Sequence, residues 1–272
     1  MFGISEYPIK GLNNIKSVCY LNSLMQCLAS CPSIVKSNNE LGLQMDSKLN
    51  EITSLVISKL GYCDQQDVHE CFMKLIEVFN LSHLFGVKST SCIVCNKCEE
   101  ILKSSIKETN SFLTVNLATI NALKCFSEVT LIEGGQRKSM PVFNRYLISS
   151  IERHPYPKHD KQDCKDSLHA ICKCTPTSPI LVIYISPLYI YNSDYGSGIT
   201  YQDIPNKLYF PNNATYHIVA TVDYNTSNNG KSGHYQANVL RKDGMANIND
   251  MSIDKNIKSM ITKNTYLVFY HK

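Results

Sequence analysis

Apolar residues in the first 80 positions recur every three or four residues, the spacing of a helix with one buried face. The first such stripe follows Cys19, stops at Pro32 and comprises Leu21, Leu24, Met25 and Leu28. A second helix is predicted over about 44–60, and a third over about 67–79. The N-terminal part of the chain is therefore predicted to be helical.

The C-terminal part carries a different pattern, in which short runs of β-branched and aromatic residues are separated by Gly, Asn, Pro or Asp. Between the two parts, residues 81–177 mix polar stretches with one strand-like run at 111–117. Helices followed by an antiparallel sheet predict an α+β fold. The C-terminal runs predict strands at 178–185, 207–211, 215–224, 233–241 and 264–272.

Composition narrows the class of protein without selecting a function. A chain of 272 residues suits one large domain or two closely packed lobes. The net charge of +4 is too small to indicate a nucleic-acid or membrane partner, and no apolar run is long enough to cross a bilayer. Because no signal-peptide core is visible, we expect a cytoplasmic protein, with the nucleus as the alternative location. Its twelve cysteines are then better interpreted as free thiols, metal ligands or a nucleophile than as disulfides.

Cys19 stands at the predicted N-terminus of the first helix. Unpaired N–H groups and the helix dipole favour a thiolate there, which is the form of cysteine that attacks carbonyl groups. The plain alternative is a buried cysteine that serves as a small apolar side chain. Taken alone, the start of a helix favours that alternative.

A cysteine hydrolase also needs an imidazole that takes the thiol proton and a third group that orients the ring. His234 opens a predicted strand after the polar loop at 225–233. A strand, a turn and a second strand would return Asn249 to its side, with Asp250 next in sequence. Taken alone, His234 is better explained as a structural histidine of a sheet.

Five motifs occur in the order found in one protease family. GLNN…CYLNSLMQ at 11–26 resembles the cysteine box of the ubiquitin-specific proteases, and QQDVHECFMKLIEVF at 65–79 resembles their QQDAHEF helix. GHYQANV at 233–239 resembles their histidine box, GHYxAYV, and TYHIVATVDY at 215–224 resembles the strand before that box. TYLVFYHK at 265–272 resembles their terminal strand. The chain is similar to this family at both ends, and least similar across 81–177.

The resemblance implies a deubiquitinase with the hand-like variant of the papain-like cysteine peptidase fold. About 1–80 would form a helical thumb, about 81–177 reduced β fingers and about 178–272 an antiparallel β palm, all within one catalytic domain. Ubiquitin and ubiquitinated proteins or chains would be the partners of a monomer that binds neither nucleic acid nor membrane. Catalysis of this type needs no cofactor.

The motifs also imply roles for single residues. Cys19 matches the nucleophile, His234 the general base and acid, and Asn249 the residue that orients the histidine, with Asp250 as the alternative for that last role. Asn14 matches the family's oxyanion-hole asparagine, whose amide would stabilise the tetrahedral intermediate. Its alternative is a loop residue that makes a local Asx turn.

Substrate contacts are implied by the same motifs. Asp67 matches an acidic residue that, in the family, contacts the basic C-terminal tail of ubiquitin, and it would also cap the third helix. Gln66, Gly233 and Tyr235 lie in the same boxes and are further substrate-binding candidates.

The sequence departs from the family pattern at three places. Lys16, Ser17 and Val18 stand where the family has Gly-Asn-Thr, and residues 185–188 replace its LKRF. The aromatic residues that precede the Asn-Asp pair in the family are absent from MANINDMS, the segment that contains Asn249. None of these changes removes a catalytic side chain, so activity is still expected.

A zinc site is suggested by CIVCNKC at 92–98, where Cys92 and Cys95 form a Cys-x-x-Cys pair and Cys98 overlaps it. The family has its first zinc pair at this place, but its second Cys-x-x-Cys is not intact here. Cys172 and Cys174 are the candidates for the second pair, although one intervening residue is unusual for a zinc ribbon. His159 and Cys164 are nearby in sequence. A structural zinc and a metal-free finger both remain open at this point.

Two other functions compete with a deubiquitinase. One is a ubiquitin-binding pseudo-enzyme that has lost its activity, and the other is a protease for a ubiquitin-like modifier. The intact Cys19, His234 and Asn14 speak against the first. The second depends on surface contacts that a sequence does not reveal.

Overall fold

The structure is a computed structural model. The part of the chain that it describes contains four α-helices near the N-terminus. They are α1 (Cys19–Ala29), α2 (Pro32–Val35), α3 (Leu49–Leu60) and α4 (Val68–Val78). A 3₁₀ turn follows at Ser82–Leu84. The described residues are 3–14, 17–36, 49–61, 66–95, 97–109, 113–115, 128–133, 135–141, 144–147, 168–185, 204–210, 214–226 and 233–272.

The helices α1, α3 and α4 lie where the apolar stripes predict them, whereas α2 was not predicted. Every residue of α1 is buried, because the helix packs against strands of a sheet on one side and against α3 and α4 on the other. Asp67 caps α4, as predicted, and its carboxylate accepts hydrogen bonds from two N–H groups of the first turn. The second helix was predicted from about residue 44, and residues 44–48 lie outside the described part.

An eight-stranded sheet supports the helices. Its path runs β13-β12-β11-β10-β14-β8-β3, with β9 paired to β10, and all its pairs are antiparallel except β3 with β8. The sequence predicts most of these strands, and helices with an antiparallel sheet confirm the α+β class. The strands are β3 (Leu113–Val115), β8 (Ile180–Ile185), β9 (Lys207–Tyr209), β10 (Thr215–Thr226), β11 (Gly233–Arg241), β12 (Gly244–Asn249), β13 (Ser252–Asp254) and β14 (Thr265–His271).

Two smaller sheets come from the middle of the chain. One has four strands in the order β2-β1-β7-β6, and the other is the hairpin of β4 and β5. Residues 113–115 lie in the segment predicted as fingers, yet they join the eight-stranded sheet instead. The smaller sheets consist of β1 (Val87–Cys95), β2 (Ile101–Thr109), β4 (Glu128–Glu133), β5 (Gln136–Pro141), β6 (Asn144–Leu147) and β7 (Leu168–Pro176).

The large sheet is buried on both faces. Leu267 and Phe269 of β14 pack in the cluster that also contains α1 and α4, while Val268 and Tyr270 pack in a second cluster behind the sheet. This alternation follows from the period of two in a strand. Among the described residues, no helix has the length and apolarity needed to span a membrane.

A buried arginine ties the N-terminal segment to this core. Arg241, at the end of β11, is 1% exposed, and its guanidinium donates to the carbonyl oxygens of Pro8 and Gln26 at 2.8 and 2.7 Å. It also donates to the side chains of Gln26 and Ser30 in and after α1. Segment, helix and sheet are therefore held together at one point, away from the N-terminal end of α1.

Candidate active site

Cys19 is the first residue of α1, as the sequence predicts, and it is 4% exposed. The N-cap residue Val18 makes no side-chain hydrogen bond to the first turn of the helix. Instead, the N–H of Val18 donates to Oδ1 of Asn14 at 2.8 Å. The turn before the helix contains Ser17, whose φ of 61° lies in the left-handed region.

The electrostatics of the thiol differ from the expectation based on the helix end. Burial raises the pKa of Cys19 above its ordinary value, and the charge of Asp250 adds to the rise. The backbone N–H groups of Tyr235, Tyr20 and Cys19 lower it, as a helix N-terminus should, but burial outweighs them. The resting cysteine is therefore a neutral thiol at neutral pH, and it needs a base to become a nucleophile.

His234 and Asn249 meet as the strand order predicts. β11 and β12 are antiparallel neighbours, and Nε2 of His234 lies 2.6 Å from Oδ1 of Asn249. With a proton on Nε2, the ring donates to this amide oxygen and leaves Nδ1 as the acceptor. The side chain of His234 is 38% exposed, so part of the ring is accessible to solvent. Among the described residues, the ring forms no hydrogen bond with the Cys19 thiol.

Asp250 occupies a different position from Asn249. Its Oδ2 lies 3.9 Å from Nε2 of His234, beyond hydrogen-bonding distance. Instead, its two oxygens accept from the side-chain amides of Asn14, at 2.9 Å, and Asn22, at 2.8 Å. Geometry thus favours Asn249 as the group that orients the histidine, whereas Asp250 binds the amides of Asn14 and Asn22.

Asn14 is fixed from two directions. Its Oδ1 accepts from Val18, and its Nδ2 donates to Asp250, which leaves the second hydrogen on Nδ2 for another acceptor. The backbone on both sides is close, since the N–H of Leu12 donates to the carbonyl of Asp250 at 3.0 Å. A Cβ on Gly11 would lie 2.6 Å from Cα of Met251, so the glycine allows this approach. The amide is therefore held beside the nucleophile in one orientation.

Two of the predicted substrate-binding residues, Asp67 and Tyr235, are joined by a hydrogen bond. Oδ1 of Asp67 caps α4, while its Oδ2 accepts from the hydroxyls of Tyr266 at 2.7 Å and Tyr235 at 3.4 Å. Gln66 directly precedes this cap. A Cβ on Gly233 would collide with the ring of Tyr224, so the glycine lets that ring pack against Tyr235.

Burial raises the pKa of the Tyr235 and Tyr266 hydroxyls, and the charge of Asp67 adds to the rise at both residues. Both hydroxyls therefore remain protonated and can donate. The carboxylate of Asp67 is held between the start of α4 and the large sheet.

The strand register separates Cys95 from the second cysteine pair of the predicted zinc site. The register of β1 with β7 pairs Cys95 with Leu168, so Cys172 and Cys174 lie four and six residues further along β7. At about 3.3 Å per residue these backbone positions are roughly 13 and 20 Å away, whereas thiolates on one zinc ion bind at about 2.3 Å.

The first pair is also separated. Cys92 and Cys95 are both buried, and they lie an odd number of positions apart on β1, so their side chains leave opposite faces. The described residues contain no group of three His, Cys, Asp or Glu side chains arranged to hold a metal ion. His159 and Cys164 lie outside them. The described strands do not bring the backbone positions of Cys92, Cys95, Cys172 and Cys174 to one point, and the zinc site stays a prediction.

Sequence reasoning missed two residues of the site. Asn22 bridges α1 to Asp250, and Tyr266 binds Asp67 from β14. A signal existed for Asn22, because it lies within CYLNSLMQ, the segment that resembles the family's cysteine box. Tyr266 carried no such signal, since an aromatic residue is ordinary in a buried strand.

Comparison with known proteins gives the fold. No protein-family profile and no curated protein matches the chain. Among solved structures, it resembles the SAGA DUB module of Ubp8, Sgf11, Sus1 and Sgf73 bound to monoubiquitin, with a TM-score of 0.64 and 17% identity over 99% of this chain and 70% of that chain.

Two further structures of this module agree. The module bound to ubiquitin aldehyde gives a TM-score of 0.58 at 14% identity, over 98% of this chain and 70% of that chain. The yeast module with a mutant Sgf73 gives 0.57 at 15% identity, over 98% and 69%. At these identities the likeness establishes the architecture, so the chain folds as a ubiquitin-specific protease domain does.

Proposed function

We propose that the chain is a thiol-dependent deubiquitinase that hydrolyses the peptide or isopeptide bond after the C-terminal glycine of ubiquitin. The observation that carries this proposal is the pair of His234 and Asn249 at 2.6 Å, on a sheet that packs against the helix headed by Cys19. The fixed amide of Asn14 beside that helix adds the third element of an acyl-transfer site. Solved structures of the same fold include complexes with monoubiquitin and ubiquitin aldehyde, which supports ubiquitin as the substrate.

The first half of the reaction forms a thioester. Nδ1 of His234 takes the proton of the Cys19 thiol, and Sγ attacks the carbonyl carbon of the terminal glycine. The second N–H of Asn14 donates to the oxyanion that forms, an interaction that exists only along the reaction path. The protonated His234 then gives its proton to the leaving lysine amine, and the C–N bond breaks.

The second half restores the enzyme. His234 accepts a proton from water as the oxygen attacks the thioester, and the C–S bond then breaks to release the ubiquitin carboxylate. The protonated His234 returns its proton to the leaving sulfur, which restores the thiol and the neutral ring. Asn249 keeps the ring in one tautomer through both halves. The raised pKa of the Cys19 thiol makes this base necessary, because little thiolate forms without it.

The surroundings of the cleft agree with such a substrate. In this proposal the helices correspond to the thumb and the large sheet to the palm, and the tail of ubiquitin passes between them beside Asp67. The carboxylate of Asp67 lies at the start of α4 and would attract a basic tail. A substrate of this size would contact both layers of the fold.

The test is covalent capture by ubiquitin that carries a C-terminal electrophile. We expect an adduct at Cys19, identified by peptide mass spectrometry, and no adduct with Cys19→Ala. The variant Cys98→Ala is the matched control, since Cys98 is more exposed than the buried Cys19 and its replacement should leave the adduct unchanged. Cys19→Ala should also abolish hydrolysis while binding of unmodified ubiquitin is retained, because the thiol contributes to chemistry rather than to affinity.

The possible outcomes separate the alternatives. Labelling by the same electrophile on a ubiquitin-like modifier alone would keep the mechanism and change the substrate. A folded protein that binds ubiquitin and forms no adduct with either probe would be a pseudo-enzyme, and the proposed activity would then be wrong.

A further inference from the structure

We infer that Asn22 is a positioning residue for the oxyanion donor Asn14, acting through the carboxylate of Asp250. This inference rests on the proposed function for its reaction and extends it to a residue outside the nucleophile, base and orienting group. Asn22 lies three positions after Cys19 on α1, so it is on the same face of the helix one turn later.

The contacts of Asn22 lead directly into the site. Its Nδ2 donates to Oδ1 of Asp250 at 2.8 Å and to the carbonyl oxygen of Asn13 at 3.2 Å. The residue is 2% exposed, and its Oδ1 is buried with no hydrogen-bond partner among the described residues. A buried amide with an unpaired oxygen costs desolvation free energy, and an apolar residue at this place in the helix would avoid that cost.

What the amide provides is a fixed position for Asp250. This residue has a φ of 52°, a left-handed conformation that an aspartate tolerates better than most residues. One of its oxygens is held by Asn22, which orients the other oxygen toward Asn14 at 2.9 Å. Without Asn22 the carboxylate could rotate toward Nε2 of His234, which is already 3.9 Å away.

The effect on Asn14 is geometric. Its amide has two hydrogens, and the one bound to Asp250 sets the direction of the other, which the proposed mechanism uses. Asn22 also donates a hydrogen bond to the backbone carbonyl of Asn13, the residue that precedes Asn14. The helix that carries the nucleophile therefore fixes both the loop and the carboxylate that aim the oxyanion donor.

Steady-state hydrolysis of a fluorogenic ubiquitin substrate tests this role. We expect Asn22→Ala to lower kcat roughly tenfold or more with KM changed less than about twofold, because the oxyanion exists only along the reaction path. The control is Ser23→Ala, which changes a neighbour on α1 of equal burial whose hydroxyl bonds back to the carbonyl of Tyr20. It should keep the parental kcat.

A double-mutant cycle separates positioning from a merely structural role. If Asn22 acts through Asn14, Asn22→Ala should lower kcat less than about twofold in the background of Asn14→Ala. Losses that multiply in the double variant would overturn the inference, as would a change confined to KM. Should Asn22→Ala fail to fold, Asn22→Ser leaves a smaller cavity and enters the same cycle.

A second cycle needs no ubiquitin. Urea unfolding should show that Asn22→Ala and Asp250→Gly destabilise the protein less together than the sum of their separate effects, since both break one hydrogen bond. Glycine is chosen because it adopts a positive φ without strain. If the parental protein fails to hydrolyse ubiquitin, the proposed function falls, while this cycle still decides whether Asn22 holds Asp250. Additive effects would show that it does not.

Discussion

Several side chains of the site each form more than one hydrogen bond. The backbone near them adopts unusual conformations. Ser17 and Asp250 both have positive φ, at 61° and 52°, on either side of the Asn14 amide. A left-handed conformation costs a residue with a Cβ roughly 1–2 kcal/mol. Strain of this kind concentrates where structure must place a functional group, and here it lies beside the nucleophile.

Ser17 offers a direct test of that strain. Ser17→Gly should stabilise the protein by about 0.5 kcal/mol, because relief of the left-handed strain exceeds the entropy that glycine adds to the unfolded chain. Urea unfolding measures the change, and Ser17→Ala, which keeps a Cβ, serves as the control and should not stabilise. Equal stability of the two variants would mean that the turn is not strained at this residue.

Residue identities could be predicted from sequence wherever the chemistry has a local signature. Cys19, His234 and Asn249 could be found because each lies in a short motif and the strand order brings two of them together. The partners of Asp250 could not, since Asn14 and Asn22 precede it by 236 and 228 positions. The raised pKa of Cys19 was missed for a similar reason, because burial depends on strands far along the chain.

At the scale of elements, some strands are clearly indicated by their sequences and others are not. Strand β14, TYLVFYH, is aromatic, β-branched and entirely buried, and it could be predicted directly. Strand β2, ILKSSIKET, mixes serine and charge with few apolar residues, so its period is weak. For the same reason β1 and β7 were not predicted individually, and the separation of their cysteines depended on a register that sequence does not give.

The junction of β14 with α2 should make stability depend on pH. His271 is 6% exposed, and Nε2 accepts from the Ser33 side chain at 2.7 Å while Nδ1 donates to the carbonyl of Lys272 at 2.8 Å. Burial lowers the pKa of His271, and the charge of Lys36 lowers it further. Protonation would remove the acceptor at Nε2.

The sign follows from proton uptake. An unfolded histidine takes its proton near pH 6.5, whereas folded His271 takes it at a lower pH, so stability should fall as the pH drops below about 6.5. Lowered pKa values of His69 and His217 add to this trend, while the raised pKa of Asp223 opposes it. Urea unfolding of His271→Gln should show a smaller loss between about pH 7.5 and 5.5 than the parent. An identical slope would contradict this role.

At the scale of the molecule, Arg241 joins three parts of the chain in the core. Burial lowers its pKa to about 10, so the guanidinium stays charged at neutral pH. Its bonds to Pro8, Gln26 and Ser30 replace the water that it loses. The large sheet, α1 and the segment that leads to Asn14 are therefore coupled through this one side chain.

Replacement of this arginine should be costly. Arg241→Met leaves buried carbonyl oxygens without a donor and should destabilise the protein by roughly 2–4 kcal/mol in urea unfolding. The neighbouring Lys242→Met is the control, since Lys242 is 70% exposed and pairs with Glu6 at 3.8 Å. It should change stability by less than about 0.5 kcal/mol. Similar losses of stability in both variants would show that Arg241 does not couple these parts of the chain.

The long separation between Asp250 and its partners has a consequence during synthesis. A ribosome that adds about 5–20 residues per second reaches Asp250 roughly 10–50 seconds after Asn22. During that interval the nascent chain carries Cys19 without the carboxylate that holds Asn14, and for most of it the imidazole of His234 is absent as well. Thiol chemistry of the proposed kind can begin only once translation has passed Asp250, so the order of synthesis itself delays the activity of an unfinished chain.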